Sequence, residues 1–387
     1  MRRRAAGGRP VSPLRRRRLL HLGAAGATAA WAGRAGAQGA ATGDDAIRRG
    51  RALGFPRDHG AHPGARIEWW YATGWLQGAA DALLGFQLTF FRSRTALATD
   101  LPGRFAPRQL LFAHAALTDV AAGRHLHAQR IARWSGDDTL PEAHAARADT
   151  RIALGRWSLV RDASSGTYTA SLPAPEVAAP GGLALDLRLA PTQPLLLQGD
   201  GGFSRKGPLE RQASHYYSQP QLAVRGTVQP GGPARQGRGW LDHEWSDELL
   251  APGATGWDWI GINLLDGGAL TAFVLRRADG SVLWAGGSHR PAGGALRVFG
   301  ADEVVFTPLR VWASPATGGR YPVEWTITTP AGRHTLRALL DAQELDSRAS
   351  AGTVYWEGLA ELLAPGGARI GLGYLEMTGR AQALRLG

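Results

Sequence analysis

The chain reads as all-β, two consecutive antiparallel β-barrels behind an N-terminal export signal, and three observations carry that reading. Short apolar stretches alternate with polar residues and are punctuated by Gly, Pro and Asp, the pattern of antiparallel strands joined by tight turns. Helical periodicity is scarce, with Leu336–Leu345 the best candidate. Finally, Trp70-Tyr71-Ala72-Thr73-Gly74 is echoed in the second half by Trp257-Asp258-Trp259-Ile260-Gly261, and each leads into a hairpin. Two similar β units are therefore expected, and 387 residues is length enough for both.

The first element is a leader. Residues 1–37 contain nine arginines and no acid, and so hold nine of the twelve surplus positive charges. Arg15-Arg16-Arg17-Arg18-Leu19-Leu20-His21, the Gly/Ala-rich stretch Leu22–Ala32 and the cleavage site Ala35-Gly36-Ala37 follow in the order of a twin-arginine signal peptide. They predict a periplasmic or secreted protein that begins at Gln38. After Arg18 no basic block of five occurs, which argues against nucleic acid as a partner. No apolar run reaches the roughly 18 residues of a membrane span, so no transmembrane anchor is expected. The absence of cysteine excludes disulfides, thiolate metal sites and cysteine nucleophiles.

Strands are expected at Ile67–Leu76 and Leu84–Phe91, joined by the hairpin loop Gln77–Asp81, and then at Leu110–Asp119, His125–Trp134, Arg151–Arg161 and Thr167–Leu172. Asp137–Ala148 is polar and reads as a loop, as do the Pro/Gly-rich Gln229–Gly239 and Ala251–Gly256. Trp240–Leu250 then falls at the interface of the two units.

Common catalytic signatures are missing. There is no Gly-x-Ser-x-Gly elbow, and Gly286-Gly287-Ser288-His289-Arg290 fails at its last position. His243-Glu244-Trp245-Ser246-Asp247 lacks the second histidine of a zinc protease, and Gly201–Gly207 is not a phosphate-binding loop. Two clusters remain. In the first, His59 and His62 with Glu68 either bind a metal or fix a loop by hydrogen bonds; the second reading is adopted, so no metal and no cofactor are expected. On the following strand Glu68 and Trp70 share a face, like one wall of a pocket. In the second cluster His243 and Trp245 share a face, with Asp242 and Glu244 on the other. Asp258 alternates with Ile260, Ile262 and Leu264, so it is either paired with an arginine or held protonated on an apolar face.

Several motifs occur in order: Phe55-Pro56-Arg57-Asp58-His59-Gly60-Ala61-His62, Glu68-Trp69-Trp70-Tyr71-Ala72-Thr73-Gly74, Gly85–Arg92, His114–Asp119, Gly202–Gly207, Tyr216-Tyr217-Ser218 and Trp240–Trp245. Together they resemble the AttH-like, lipocalin-like proteins related to carotenoid 1,2-hydratase (hydroxyneurosporene synthase), over about residues 52–290. The resemblance implies two lipocalin-like barrels, set here at 48–247 and 255–387, with a ligand space near their junction. It also implies that His243-Glu244-Trp245 matches the His-x-Trp pair linked to alkene chemistry in the hydratase branch.

The expected function is an exported protein that binds an apolar, isoprenoid-like ligand, as the periplasmic component of a membrane transport system. The alternatives are a cofactor-independent hydratase and a secreted hydrolase. For hydration, Asp258 or Glu68 would be the proton donor and His243 would take a proton from water, with Trp70, Trp245 and Trp257 as cation-stabilising faces. Tyr71, Tyr216 and Tyr217 would complete the ligand site.

Overall fold

A computed structural model describes residues 45–78, 82–95, 107–136 and 142–384. The expected leader, residues 1–37, lies outside them, as do residues 137–141 of the expected loop. Among the described residues there is no α-helix, and the strands form two antiparallel sheets.

The first sheet contains β1 (Ile67–Gln77), β2 (Leu83–Arg94), β3 (Gln109–Asp119), β4 (Arg124–Trp134), β5 (Ala143–Ala145), β6 (Arg151–Leu154) and β7 (Trp157–Arg161). It continues with β8 (Tyr168–Ala174), β9 (Leu183–Ala190), β10 (Leu196–Leu197), β11 (Phe203–Arg205), β12 (Ala213–Thr227) and β13 (Arg235–Ser246). Its order is β4-β3-β2-β1-β13-β12-β9-β8-β7-β6-β5, with β10 and β11 added against β12. Strands β4 and β5 come together at the seam, so the sheet nearly closes into a barrel.

The second sheet contains β14 (Ala254–Leu264), β15 (Ala269–Arg277), β16 (Val282–Arg290), β17 (Arg297–Phe299), β18 (Val305–Ala313) and β19 (Arg320–Thr329). It ends with β20 (Gly332–Ala338), β21 (Glu344–Ser347), β22 (Thr353–Leu363) and β23 (Arg369–Met377). Its order, β17-β16-β15-β14-β23-β22-β20-β19-β18, repeats the plan of the first, because the opening strand lies between the second strand and the last. The echo falls on those opening strands: Trp70 and Trp257 are each the fourth residue of β1 and β14, and Gly74 and Gly261 each the eighth. A Cβ on Gly74 would lie 2.2 Å from the Arg238 carbonyl oxygen, and one on Gly261 would strike the Trp259 ring, so both positions need glycine. The tryptophans themselves face different surroundings, Trp70 in the first barrel's core and Trp257 in the cluster between the sheets.

Three large apolar clusters follow from this, beside a small one of Ala116, Leu345 and Tyr355. Trp70, Trp134, Trp157, Tyr168 and Trp245 fill the first barrel, and Ile260, Trp325, Trp356 and Met377 pack on the second sheet. Tyr71, Trp240, Trp259, Phe273 and Tyr374, contributed by both sheets, form the third between them.

Some local expectations are corrected. Leu336–Leu345 is not helical: Leu336 and Ala338 belong to β20, paired with Leu362 and Ala360, and the ladder overrides helix propensity. Arg151–Arg161 is two strands, because Gly155 turns the chain at φ +59. Residues 235–239, expected in a loop, already pair with β12 in β13, and Ala143–Ala145 pairs with β6.

Candidate functional site

Alternation along β1 and β13 decides which side chains meet. In the antiparallel register Glu68 lies opposite Trp245 and Trp70 opposite His243, all four buried in the first barrel. His243 Nε2 hydrogen-bonds Glu68 Oε1 at 2.9 Å, and its Nδ1 lies 3.1 Å from the Tyr217 hydroxyl. Trp70 stacks on the His243 ring at 4.5 Å. The predicted residues Glu68, Trp70, Tyr217, His243 and Trp245 are thus brought together. The segment before β1 completes the group. His62 Nδ1 hydrogen-bonds Glu68 Oε1 at 2.8 Å and its Nε2 meets Asp58 Oδ1 at 3.0 Å, while its ring stacks on Trp245 at 3.6 Å. His59 Nδ1 lies 2.8 Å from the Tyr217 hydroxyl, and Arg92 Nε donates to Glu68 Oε2 at 2.7 Å.

The electrostatics of this group fix its protonation. Burial pulls Glu68 upward, but the Arg92 guanidinium and His62 hold it well below the usual carboxylate range, so it is an anion. Burial pushes His243 down to about 4 against the pull of Glu68, so its ring is neutral near pH 7. The ligand atoms of His62, Glu68 and His243 lie within 4.8 Å of one another, close enough for a divalent ion. Both imidazoles are, however, already hydrogen-bonded to Glu68, two indoles cover them and Arg92 occupies the second carboxylate oxygen. The donor set fits a hydrogen-bonded strut better than a metal.

Asp258 does not join this group. Its carboxylate is fully buried, accepting at Oδ2 from Arg276 Nε at 2.8 Å and Arg380 Nη2 at 2.7 Å. Of the two sequence readings, arginine pairing is the one the geometry matches. Glu68 therefore carries no proton to give and the Asp258 carboxylate is spanned by two guanidinium groups, so the donor role passes to other residues. A serine–histidine contact also fails as a nucleophile. Ser350 Oγ lies 2.8 Å from His114 Nε2, but the Ser350 hydroxyl donates to Gln129 Oε1 at 2.6 Å, and the Gln129 amide is oriented by its bond to the Asp346 carbonyl. His114 consequently donates to Ser350 and cannot deprotonate it.

The opposite faces of the same strands meet the second sheet. On β1 and β13, Tyr71 lies opposite Asp242 and Trp69 opposite Glu244. Asp242 accepts from the Tyr216 hydroxyl at 2.7 Å, Ser218 Oγ at 2.6 Å and Trp240 Nε1 at 2.7 Å, yet burial lifts it to about 7. Trp259 of β14 reaches across, donating Nε1 to the Tyr216 oxygen at 3.2 Å and meeting Tyr71 edge to face at 5.4 Å. Glu357 of β22 lies directly opposite Glu376 of β23, which is also opposite Trp259. Burial, then mutual repulsion, holds Glu357 far above the carboxylate range; burial, then Asp242 and Glu244, lifts Glu376 too. Glu357 Oε1 and the Tyr71 hydroxyl are buried facing only each other, without a well-formed hydrogen bond. Tyr71, Tyr216 and Trp257, predicted to bind ligand, all belong to this junction and not to the His243 group.

The junction is not sealed. Trp69, Trp257 and Glu376 keep partial exposure, and farther along the same strands a cleft of about 320 Å³ opens between the sheets, lined by Trp75, Gln221, Arg238 and Asn263. Sequence reasoning missed Glu357 and Glu376. The signal was present as a repeated Tyr-x-Glu, Tyr355-Trp356-Glu357 and Tyr374-Leu375-Glu376, on the last two strands.

The model of the AttH-like family matches residues 46–380. A candidate AttH protein from Nitrosomonas europaea, known by crystallography, is 45% identical, covering 86% of this chain and 99% of its own, with a TM-score of 0.78. Kievitone hydratase from Nectria haematococca shares the fold at 13% identity, covering 87% of this chain and 95% of its own, with a TM-score of 0.63. No curated protein matches the sequence.

Proposed function

The chain belongs to the AttH-like family, and we propose that it binds an apolar, isoprenoid-like ligand at the junction of its two sheets and adds water across an isolated alkene there. The observation that carries the proposal is the cross-strand pair of a buried Glu357 and a partly exposed Glu376, set opposite each other and held protonated. Protonating an alkene needs a carboxylic acid that is still neutral near pH 7, as such a pair provides. Proton transfer from one carboxyl to the less substituted alkene carbon forms a C–H bond and leaves a tertiary cation facing the new carboxylate. Water then attacks the cation, and its surplus proton passes to the carboxylate, giving a tertiary alcohol and restoring the acid. The indoles of Trp257 and Trp259 and the Tyr71 ring supply π-faces for the cation. The name of kievitone hydratase, a protein of this fold, is in keeping with hydration.

His243 takes no part in this sequence, because it faces the first barrel. It acts as a strut: its bond to Glu68 braces the β1–β13 ladder that presents Tyr71 and Asp242 on the other side. We also propose, from residues 1–37, that the protein is exported by the twin-arginine route and can serve a periplasmic transport system as a ligand carrier.

The test is incubation with a trisubstituted isoprenoid alkene in oxygen-18 water. A tertiary alcohol carrying the label supports hydration. Tight binding with no labelled product leaves a carrier.

A further inference from the structure

Arginine is abundant in this chain, and most of its buried acids pair with one. Among the described residues eight acidic side chains are buried. Asp45, Asp58, Glu68, Asp258 and Glu361 each pair with arginine. Glu244 pairs with Lys206, the only lysine in the sequence, at 2.9 Å. The remaining two, Asp242 and Glu357, have no cation within salt-bridge distance, and both stand at the junction. Partly exposed Glu376, opposite Glu357, has none either. Lys206 cannot serve them as well, being held by Glu244 and Ser204.

We propose that this junction is an organic-cation site, taking ligands that carry or develop positive charge on an alkyl-substituted centre in preference to neutral ligands of the same shape. Two observations besides the acids point to a ligand. Glu357 Oε1 and the Tyr71 hydroxyl, 2% and 6% exposed as residues, face only each other and make no well-formed hydrogen bond, so both keep bonding capacity directed into the junction. Aromatic rings surround them, and the junction already seats one cation on such rings, since Lys206 Nζ lies 4.2 Å from the Phe273 ring centre and 4.8 Å from that of Tyr216. An alkylammonium has the reach and charge to use both features: it lies against indole faces and places its charge beside Glu357 and Glu376, where no guanidinium competes and where its arrival lets the protonated pair release a proton to solvent and become the counter-ion. A carbocation formed by alkene protonation has the same needs, so the inference rests on the reading of the junction as the ligand site and deepens it.

The experiment compares N,N-dimethyloctylamine, protonated near neutral pH, with 2-methyl-2-decanol, a neutral alcohol of closely similar shape with one added hydroxyl, by tryptophan fluorescence titration of the full protein. The amine is expected to bind at least about tenfold more tightly, the scale of a partly desolvated cation–π and ion-pair contact. In Glu357→Gln and Glu376→Gln that preference should fall to less than about threefold, with near-ultraviolet circular dichroism confirming the native fold. Equal affinities in the wild type, a measurement that needs no variant, would overturn the proposal, as would a preference that survives both substitutions. Amine preference without hydration of any alkene would uphold the cation site and remove the hydratase reading. Hydration without amine preference would do the reverse.

Discussion

His243 and Asp242 are neighbours in sequence and point to opposite sides of β13. The His243 ring enters the first barrel and bonds Glu68 at 2.9 Å, while the Asp242 carboxyl enters the junction and takes hydrogen bonds from Tyr216, Ser218 and Trp240. One strand thus divides the polar residues of the motif between a closed strut and an open, acid-rich face. On the proposed reading, the division separates residues that stabilise from residues that act on a ligand.

Asp258 falls on the stabilising side. Replacing it by Asn leaves Arg276 and Arg380 without their carboxylate in a buried setting, and should cost about 3–5 kcal/mol of stability. Ligand affinity should change by less than about threefold, well under 1 kcal/mol. Denaturant unfolding and fluorescence titration read the two effects. A large loss of turnover in a variant of normal stability would return Asp258 to the site.

Acid should unfold the protein through its histidines. Burial depresses His243 and His215 to about 4 and His59, His114 and His125 to about 3. These folded-state values lie below the unfolded value of about 6.5, so their contribution is complete above pH 6.5 and lost as pH falls through the window down to 4 and 3. Within it each neutral histidine adds about 1.4 kcal/mol of destabilisation per pH unit. Thermal unfolding should therefore show a steep fall in melting temperature below about pH 6. A flat profile between about pH 6.5 and 4.5 would refute it.

Asp242 has the opposite sign. Its folded value is raised to about 7, so its protonated form favours the fold at low pH and that contribution is lost as pH rises from about 4 to 7. Asp242→Asn, which cannot ionise, should gain relative to wild type across that window by up to about 4 kcal/mol, about 1.4 per pH unit. Denaturant midpoints at the two ends of the window measure the difference. A stability gap independent of pH would show that Asp242 is ionised throughout.

Export should need the paired arginines. Substituting Arg16 and Arg17 by lysine should leave uncleaved protein in the cytoplasm, whereas wild-type protein in the periplasm should begin at Gln38. Wild-type accumulation in the periplasm of a strain without the twin-arginine translocase would contradict the assignment.

Much of the fold was legible because period-two alternation and Gly/Asp turns are local signals. Ile67–Leu76 and Leu84–Phe91 fall within β1 and β2, and the Trp-x-x-x-Gly echo marked the two opening strands. The strut was legible in part, since Glu68 with Trp70 and His243 with Trp245 follow from alternation alone. What alternation does not reveal is which face meets another sheet. Asp258 stayed open between arginine pairing and a protonated acid because its partners, Arg276 and Arg380, lie on another strand and beyond the last one. Glu357 and Glu376 looked like ordinary strand acids until the β22–β23 register set them opposite each other in the gap between sheets.

On the proposed reading the junction acids, and not the His243 strut, do the chemistry. The most direct measurement is the rate of oxygen-18 incorporation into an isoprenoid alkene by wild type, Glu357→Gln, Glu376→Gln and His243→Gln, each normalised to folded protein. Loss of the donor should lower the rate in one or both glutamate variants by about 10²–10⁴, the usual worth of general acid catalysis, with His243→Gln reduced less than about tenfold. Near-normal rates in both glutamate variants together with an inactive, folded His243→Gln would contradict the account and put the chemistry inside the first barrel.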